Sequence, residues 1–402
     1  MTTIALLPGD GVGPEVTKQA KIALEAIARK YGHDFRFVRA AIGGDAIDTC
    51  GVPLPDATLD LCRNADAIML GAVGGPKWEE MPVPLRPEQG LLALRRQLGL
   101  FANIRPVMAP TIPWLLSPLR PEILAGTDIV FVRELTGGIY FGEKKLEPVA
   151  GCARGGERAT DSATYTTDEI ASVVRVAARL ALERRGLVTS VDKANVLETS
   201  RLWRKVATAV IRDEFPCVQL EHRLVDSFSM DIILRPSTFD VVVTENMFGD
   251  ILTDEASVLA GSIGMLASAS LGHPGIDGRR PGMYEPIHGS APNIAGCDVA
   301  NPAGAILSAA MLLRYSLGLH DEAACIEAAV ETVYGSGYVT PDLAQPDQPA
   351  FHTSDVGQAV ARAIADADLC ASAAQFERLN LGCRSDEPSR TTARRPRRAT
   401  MD

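Results

Sequence analysis

The chain alternates short, continuous apolar runs with longer stretches in which apolar residues recur every three or four positions. Apolar runs of this kind predict buried strands, at residues 3–7, 67–70, 128–133, 188–192 and 240–244. The periodic stretches predict amphipathic helices, at residues 14–32, 86–100, 168–185 and 200–215. This alternation indicates an α/β architecture with helices packed on a largely parallel sheet. Binding sites of such sheets lie at the carboxyl ends of the strands.

Composition narrows the class of protein. A chain of 402 residues suggests two domains or one large one. Its net charge of −10 gives no overall attraction to nucleic acid or to anionic membranes, so we expect neither partner. The most apolar run, residues 303–313, is too short to cross a bilayer. The first residues lack the basic region of a signal peptide, and the eight cysteines form no CxxC pair. We therefore expect a cytoplasmic protein with free thiols.

Two segments have irregular composition. Residues 148–163 are rich in glycine, alanine and charge, which predicts a surface loop or arm. Residues 380–402 are polar and rich in arginine, so we expect a disordered tail. Its basic cluster, residues 394–398, has the composition of an address signal or a nucleic-acid contact. Unstructured basic tails are common, however, and we favour no specific role for it.

Two acids follow the last predicted strand. Asp250 and Asp254 are four residues apart, so they share a face if a helix begins there. Like charges at this spacing destabilise a helix by about 0.2–0.5 kcal/mol, although a position near the helix N-terminus softens the repulsion. The pair is either a solvated first turn or a site with a cation between the carboxylates. The spacing alone leaves both interpretations open.

Several arginines are candidates for binding an anion. One face of the helix predicted over residues 86–100 carries an acid, two leucines and a base, namely Glu88, Leu91, Leu92 and Arg95. Arg105 lies a few residues further on, and Arg133 ends a buried-looking strand, where its charge needs a partner. Converging arginines suit a substrate with two or three carboxylates, because guanidinium binds carboxylate through two hydrogen bonds. Ordinary salt bridges remain the simpler explanation for Arg105 and an equal one for Arg133.

Four further features are open to a functional or a structural explanation. Tyr140 follows a Gly-Gly turn and could act as a general acid, while Lys193 follows a predicted strand. Both residue types more often serve packing or solubility. The segment GDGVGPE, residues 9–15, resembles a phosphate-binding turn but matches neither the GxGxxG nor the P-loop pattern. The loop EPIHGSAPNIAG, residues 285–296, could wrap a ligand or simply connect two elements.

Taken in order, six segments resemble the isocitrate/isopropylmalate dehydrogenase family, and within it the isopropylmalate branch. They are LLPGDGVGPEV, RPEQGLLALRRQLGLFANIRP, VRELTGGIYFGE, DKANVLETSRLWRKV, NMFGDILTDEAS and EPIHGSAPNIAG. The resemblance runs from about residue 3 to about residue 365. It implies two α/β domains that share a large mixed sheet rather than a standard Rossmann fold. The cofactor domain would be 1–102 plus 256–368, and 103–255 would bind substrate and metal and form the dimer, with an arm at about 140–165.

The resemblance also implies a reaction and the residues that carry it. NAD would accept hydride, and the resulting keto acid would lose CO₂. Mg²⁺ or Mn²⁺ would be bound by Asp250 and Asp254, with Asp226 reaching in from the second subunit of a homodimer to contact metal and substrate. The substrate carboxylates would be held by Arg95, Arg105 and Arg133. Lys193, also from the partner, would assist deprotonation of the hydroxyl, and Tyr140 would protonate the enol carbon.

The resemblance favours 3-isopropylmalate as the substrate and 4-methyl-2-oxopentanoate as the product, as in leucine biosynthesis. The residues that match the side-group pocket are Glu88, Leu91, Leu92 and, from the partner, Val196. Two leucines suit an isopropyl group, because burial of apolar surface is favourable. Another 3-alkyl or 3-arylalkyl malate is the first alternative, since apolar pockets discriminate weakly between apolar groups. A catalytically inactive regulatory subunit is the second, and the presence of the catalytic residues argues against it.

The cofactor residues follow from the same resemblance. They are His288, Gly289, Ser290, Ala291, Asn293 and Asn301. Asn293 stands where NAD-dependent members usually carry an aspartate that pairs with the adenosine ribose. An asparagine still hydrogen-bonds a hydroxyl, but it no longer repels a 2′-phosphate. We therefore expect NAD, with weakened discrimination against NADP.

Overall fold

A computed structural model describes residues 1–109, 117–149, 156–275 and 280–366. The tail predicted at 380–402 lies outside these residues. The strands are β1 (Thr2–Gly9), β2 (Phe35–Arg39), β3 (Ala67–Ala72), β4 (Ala102–Met108), β5 (Asp128–Glu134), β6 (Lys144–Val149), β7 (Gly156–Asp161), β8 (Leu187–Asp192), β9 (Gln219–Leu224), β10 (Val241–Thr244), β11 (Ala267–Leu271) and β12 (Gly282–Pro286). The five predicted strands correspond to β1, β3, β5, β8 and β10.

The helices include the four predicted periodic stretches, and the described residues contain eight more. They are α1 (Gly13–Tyr31), α2 (Gly44–Cys50), α3 (Asp56–Asn64), α4 (Pro87–Gln97), α5 (Pro121–Leu124), α6 (Thr167–Leu182), α7 (Glu198–Glu214), α8 (Val225–Leu234), α9 (Asn246–Ala256), α10 (Ala303–Tyr315), α11 (His320–Gly335) and α12 (Thr353–Ala365). Proline opens α1 and α4, where its missing N–H costs no hydrogen bond.

One ten-stranded sheet runs through the molecule, in the order β2-β1-β3-β12-β11-β4-β5-β10-β8-β9. Its outer pairs are parallel, but β12 with β11, β11 with β4, and β4 with β5 are antiparallel. These three reversals make the two outer groups of strands run in opposite directions. The predicted parallel character therefore holds for the outer groups and fails at the centre. The predicted fold class, an α/β protein built on a large mixed sheet, is confirmed.

The apolar run at 303–313 forms a core helix. It lies within α10, where ten of the thirteen residues are buried and which packs on α1, α11, β11 and β12. A helix surrounded by protein can be apolar on every side, because none of its faces meets water. Among the residues that the structure describes, no helix is both long and apolar enough to span a membrane.

The segment predicted as a loop or arm contains regular structure. Strands β6 and β7 form a separate antiparallel ribbon, with Leu146 opposite Ala159. Most of its side chains are exposed, including Leu146 at 66 %. A two-stranded ribbon without a buried face needs no alternation of apolar and polar residues. This is why the sequence pattern did not reveal these strands.

The cysteines do not all behave as expected. Cys50, Cys62, Cys217 and Cys297 are free thiols, as predicted. Cys325, however, is disulfide-bonded, so the expectation of free thiols is wrong for this residue. Disulfide formation depends on the distance between side chains in the fold, and the spacing of cysteines along the sequence does not report that distance.

Candidate active site

The two acids lie on the first helix after β10. Glu245 caps this helix, α9, because its carboxylate accepts a hydrogen bond from the backbone N–H of Phe248 at 2.7 Å. Asp250 and Asp254 then follow one turn apart on the same helix. Asp250 is partly buried and Asp254 is exposed. The local fold predicted from the sequence is thus present.

Two of the candidate arginines lie on neighbouring antiparallel strands. Arg105 is on β4, and Arg133 is the penultimate residue of β5. Arg133 lies directly opposite Asn103, two residues from Arg105, so all three side chains are on one face of the sheet. Arg105 and Arg133 are only 5 % and 2 % exposed. Buried arginines require acceptors, and α9 supplies them.

Asp250 is the acid that both arginines share. Arg133 forms an ion pair with Asp250 through Nη1, and Arg105 Nη2 lies 3.7 Å from the same carboxylate. Arg133 also donates to Asn246 Oδ1 from Nε at 3.0 Å and from Nη2 at 2.7 Å. Arg105 donates to Asn103 Oδ1 at 2.6 Å. A solvated first turn is therefore the wrong interpretation of Asp250, whose carboxylate is held by buried cations.

The electrostatics of this centre favour anions. Burial, followed by the charge of Arg133, lowers the pKa of Arg105 to about 9. Burial also lowers the pKa of Arg133, although Asp250 opposes this shift. For Asp250 itself, burial favours the neutral acid, but Arg133, Tyr140 and Arg105 outweigh it, and its pKa is lowered. Two crowded guanidinium groups on one carboxylate leave an excess of positive charge that a substrate carboxylate would offset.

Arg95 brings a third positive charge to the same centre. It lies on α4 and is 8 % exposed, and its Nη2 donates to Glu285 on β12 at 2.6 Å. Its charge acts on both Arg105 and Arg133, while its Nε has no hydrogen-bond partner. On the same helix, Leu91 and Leu92 are half-buried and Glu88 is exposed. The structure thus brings the charges of the three candidate arginines into one region.

Tyr140 also belongs to the centre. It ends a single 3₁₀ turn, Gly138–Tyr140, and its hydroxyl donates to Asp250 Oδ2 at 2.7 Å. The guanidinium of Arg133 lies over its ring, 5.6 Å from the centroid. Burial, followed by the hydrogen bond to Asp250, raises the pKa of Tyr140 to about 12. The phenol therefore keeps its proton at neutral pH and can act as a proton donor.

Lys193 and Asp226 form a separate pair. Lys193 follows β8 and Asp226 lies in the first turn of α8, and the ammonium and carboxylate groups are 2.6 Å apart. The hydrogen bond from Lys193 lowers the pKa of Asp226. Val196 lies in the same loop as Lys193 and is 61 % exposed. Within the described part of a single chain, no group of three or more His, Cys, Asp or Glu side chains could hold a metal ion. Asp250 and Asp254 would thus need further ligands.

The two loops with glycine-rich sequences hold each other. The backbone N–H of Val12 donates to the carbonyl of Ser290 at 2.8 Å. Gly11, at φ +59°, lies so close to this carbonyl that a Cβ would be only 1.9 Å from its oxygen. The carboxylate of Glu15 accepts from the backbone N–H groups of Gly296 and Asp298. These contacts favour a bracing role for residues 9–15 over the phosphate-binding turn that the sequence suggested.

The other residues expected to bind the cofactor lie in residues 285–298, called the braced loop below, or follow it. Gly289 and Asn293 are exposed, and Ala291 adopts a left-handed backbone at φ 40°. His288 has an unpartnered Nε2, and burial lowers its pKa. Asn301 differs, because its side chain is engaged within the protein. Its Oδ1 accepts from Tyr334 at 2.6 Å and its Nδ2 donates to Asp342 at 3.0 Å.

Sequence reasoning missed several residues of the centre. Asn246 orients Arg133, Asn103 orients Arg105, and Glu285 pairs with Arg95. The contacts of Asn246 and Glu285 join residues more than 100 positions apart, so no local spacing could have predicted them. One signal was available for Asn246, because it follows a strand at the edge where α/β sites lie.

The fold and the site together define an α/β enzyme with a buried, arginine-rich centre for an anionic substrate. A sequence model of the isocitrate/isopropylmalate dehydrogenase family matches residues 3–360. The chain belongs to this family, as the six motifs predicted, and it is a dehydrogenase.

Similar proteins agree with this assignment. The 3-isopropylmalate dehydrogenase of Rhodopirellula baltica is 56 % identical over 367 residues, which cover 90 % of this chain and 99 % of that protein. The enzyme of the same name from Halalkalibacterium halodurans is 54 % identical over 361 residues, covering 90 % and 97 %. Among solved structures, isocitrate dehydrogenase from Methylococcus capsulatus superimposes with a TM-score of 0.77 at 33 % identity, covering 91 % of this chain and all of that one.

Proposed function

We propose that the chain catalyses the NAD-dependent oxidative decarboxylation of 3-isopropylmalate to 4-methyl-2-oxopentanoate, a step of leucine biosynthesis. The observation that carries this proposal is the convergence of three buried arginines, of which two share the carboxylate of Asp250 and the third pairs with Glu285. A substrate with two carboxylates matches such a centre in charge and in hydrogen-bonding geometry. Relatives that share more than half of their residues with this chain bear the name of this enzyme.

Substrate recognition divides between the arginines and α4. Arg95, Arg105 and Arg133 would bind the two carboxylates, because each guanidinium offers paired donors. The half-buried Leu91 and Leu92 would contact the isopropyl group, at the side of α4 that also carries Arg95. Glu88, which is exposed at the start of this helix, and Val196 of a second copy would complete the pocket. An apolar contact here favours isopropylmalate over isocitrate, whose side group carries a third carboxylate.

The acids of α9 suit a divalent cation. Mg²⁺ and Mn²⁺ prefer oxygen ligands, and Asp250 and Asp254 present carboxylates one turn apart. A third carboxylate, Asp226, would come from a second copy, since no third acid joins Asp250 and Asp254 within the described part of a single chain. When bound, the cation supplies Lewis-acid polarisation of the substrate oxygens.

Two side chains would move the protons. Tyr140 holds its proton at neutral pH and donates a hydrogen bond to Asp250. We therefore assign it as the general acid that protonates the enol carbon. Lys193 would assist removal of the hydroxyl proton. Because Lys193 and Asp226 form an ion pair, they would enter the partner's site as one unit.

A homodimer would complete the site. Helix α8 packs on α9, and both helices expose large apolar side chains. Met230, Leu234 and Ile251 are 60 %, 67 % and 60 % exposed. Exposed apolar side chains on adjacent helices are typical of a protein interface, so we propose that these helices meet their counterparts in a second copy. The exposed ribbon β6–β7 would act as the arm between subunits.

The cofactor would be NAD. We propose the braced loop for the adenosine part, with His288, Gly289, Ser290, Ala291 and Asn293 in contact. Asn293 is exposed and can hydrogen-bond the ribose hydroxyls. Asn301 would act indirectly, because its Oδ1 accepts a hydrogen bond from the N–H of Ala303 and so holds the start of α10 beside this loop. Residues 1–102 with 256–368 would form the cofactor domain and 103–255 the substrate domain. The cytoplasmic location stays a prediction from the sequence.

A spectrophotometric assay at 340 nm tests the proposal. Purified protein receives Mn²⁺, 3-isopropylmalate and either NAD⁺ or NADP⁺, with isocitrate as the competing substrate. We expect reduction of NAD⁺ with 3-isopropylmalate that stops on chelation and returns when Mn²⁺ is added. Activity with NADP⁺ alone would overturn the cofactor assignment. No activity with either cofactor would favour a bulkier malate or a regulatory subunit.

A further inference from the structure

A buried tyrosine lies directly behind the turn that carries Tyr140. Tyr165 precedes α6 and is 7 % exposed. Its ring packs edge-on against Trp203, with the ring centroids 5.7 Å apart. A Cβ on Gly137 would lie 2.6 Å from its ring, and one on Gly138 would lie 2.4 Å from its hydroxyl. The position of this side chain therefore limits where the Tyr140 turn can lie.

The hydroxyl of Tyr165 connects two residues at the start of α9. It accepts a hydrogen bond from the backbone N–H of Asn246 at 2.9 Å. It also faces the carboxylate of Glu245, with its oxygen 3.3 Å from Oε2, to which it donates. Glu245 caps α9, so this phenol fixes the first turn of the helix that carries Asp250.

Asn246 extends these contacts to the substrate side. Its Oδ1 accepts both hydrogen bonds from Arg133, and its Nδ2 donates to the carbonyl of Gly137 at 3.3 Å. Asn246 is 1 % exposed, so water does not offer replacement partners. One residue thus connects β5, the Tyr140 turn and α9.

Packing alone does not hold this region. A small cavity of about 10 Å³, enough for about one water molecule, lies beside Tyr165, Trp203 and Glu245. The buried Nε1 of Trp203 has no hydrogen-bond partner. The atoms that line such a void lose dispersion contacts, and the hydrogen bonds of Tyr165 and Asn246 remain to hold the turn.

We propose that Tyr165 is a positioning residue for the reaction: its hydroxyl holds the backbone of Asn246, and through Asn246 it holds the Tyr140 turn against the acids of α9. This inference rests on the proposed function, because it gives Tyr165 and Asn246 a part in that reaction. Neither residue touches Asp250 in the contacts described above. Both act through residues that do.

The first test is Tyr165→Phe, which removes only the hydroxyl. We expect kcat with 3-isopropylmalate to fall about ten-fold, because a small displacement of a reacting group reduces turnover strongly. The KM for 3-isopropylmalate should change less than two-fold, since Asn246 still contacts Arg133. The matched control is Tyr284→Phe, which removes another buried hydroxyl, hydrogen-bonded to Ser316 at 2.7 Å, from β12. It should leave kcat unchanged.

A double-mutant cycle separates positioning from general destabilisation. If Tyr165 acts through Tyr140, then Tyr165→Phe should have little further effect on kcat in a Tyr140→Phe background. Fully additive losses would overturn the proposal. Asn246→Asp is the second variant, because it keeps an acceptor for Arg133 and removes the donor to Gly137. It should lower kcat by a similar factor, and an unchanged kcat would count against the proposal.

Crystal structures provide a readout that does not depend on activity. We expect the distance between Tyr140 Oη and Asp250 Oδ2, now 2.7 Å, to lengthen in Tyr165→Phe and to stay in Tyr284→Phe. An unmoved Tyr140 would overturn the positioning role, even if the wild type oxidises 3-isopropylmalate. If the wild type does not oxidise 3-isopropylmalate, the proposed function fails, while these structures still decide whether Tyr165 holds the turn.

Discussion

Two regions of the molecule are positioned by different kinds of contact. One is the arginine centre, formed by Arg95, Arg105 and Arg133 with Asp250, and the other is the braced loop. In the arginine centre, charged side chains from separate elements meet, as Arg133 and Arg105 do at Asp250. In the braced loop, residues 285–298, backbone groups make the contacts, such as the N–H of Val12 with the carbonyl of Ser290. The first region is held by pairs of charged side chains, and the second by hydrogen bonds that each involve a backbone group of the loop.

This difference predicts different costs of substitution. Removal of one partner from a buried ion pair leaves an uncompensated charge and costs about 3–5 kcal/mol. Removal of one hydrogen bond that holds a loop costs about 1 kcal/mol. Substitutions in the arginine centre should therefore reduce turnover or substrate binding strongly, whereas those in the loop brace should weaken cofactor binding modestly.

The largest effect is expected for Asp250→Asn. This change removes a proposed metal ligand and the carboxylate that Arg105 and Arg133 share, so we expect kcat/KM to fall by about 10²–10³. Turnover should be measured across a Mn²⁺ titration. Glu255→Gln is the control, since it removes an acid from the same helix outside the arginine cluster. Near-normal activity of Asp250→Asn would sink the metal assignment.

A smaller effect is expected for Arg133→Lys. Lysine keeps the charge but cannot bind Asn246 and Asp250 through several donors at once. We expect the KM for 3-isopropylmalate to rise at least about ten-fold. Arg175→Lys is the matched control, because Arg175 binds Glu214 through two donors at the surface. Equal KM values for the two variants would show that Arg133 does not bind the substrate.

The loop brace should respond more mildly. Glu15→Gln weakens the acceptor for the N–H groups of Gly296 and Asp298, so we expect the KM for NAD⁺ to rise about five-fold. The KM for 3-isopropylmalate should not change. Glu25→Gln, which breaks a surface pair with Lys21 on the same helix, should alter neither constant. A rise in both constants for Glu15→Gln would show that the two regions are not independent.

The smallest effect concerns stability outside both regions. Burial, and then the charge of Arg204, lowers the pKa of His222, although Asp192 opposes the shift. The neutral ring is therefore favoured in the folded state. Its contribution to the free energy of unfolding is fully present above the ordinary histidine pKa of 6.5. It is lost as the pH falls through the lowered pKa. We measure the free energy of unfolding in urea at pH 7.5 and at pH 5.5. Between these two pH values, it should fall by more for the wild type than for His222→Gln. Identical losses would contradict this.

Much of the architecture was predictable because it depends on local pattern. The five apolar runs correspond to strands. Helical periodicity predicted that Arg95 lies on one face of α4 and that Asp250 and Asp254 lie one turn apart on α9. The ribbon β6–β7 and the bond at Cys325 were not predictable, because neither depends on a repeating apolar pattern. The order of the six motifs indicated the family from the sequence alone.

The sequence by itself determined the α/β class, the elements that carry the candidate residues and the family, because apolar periodicity and motif order are properties of the chain. Only the tertiary structure decided which residues meet. It showed that the centre of the sheet is antiparallel, that residues 9–15 brace a loop, and that Asp250 is shared by buried arginines. These contacts join distant parts of the chain, so no local pattern encodes them. For Asp250 and the arginines, the cost of burying an unpaired charge selects the partners.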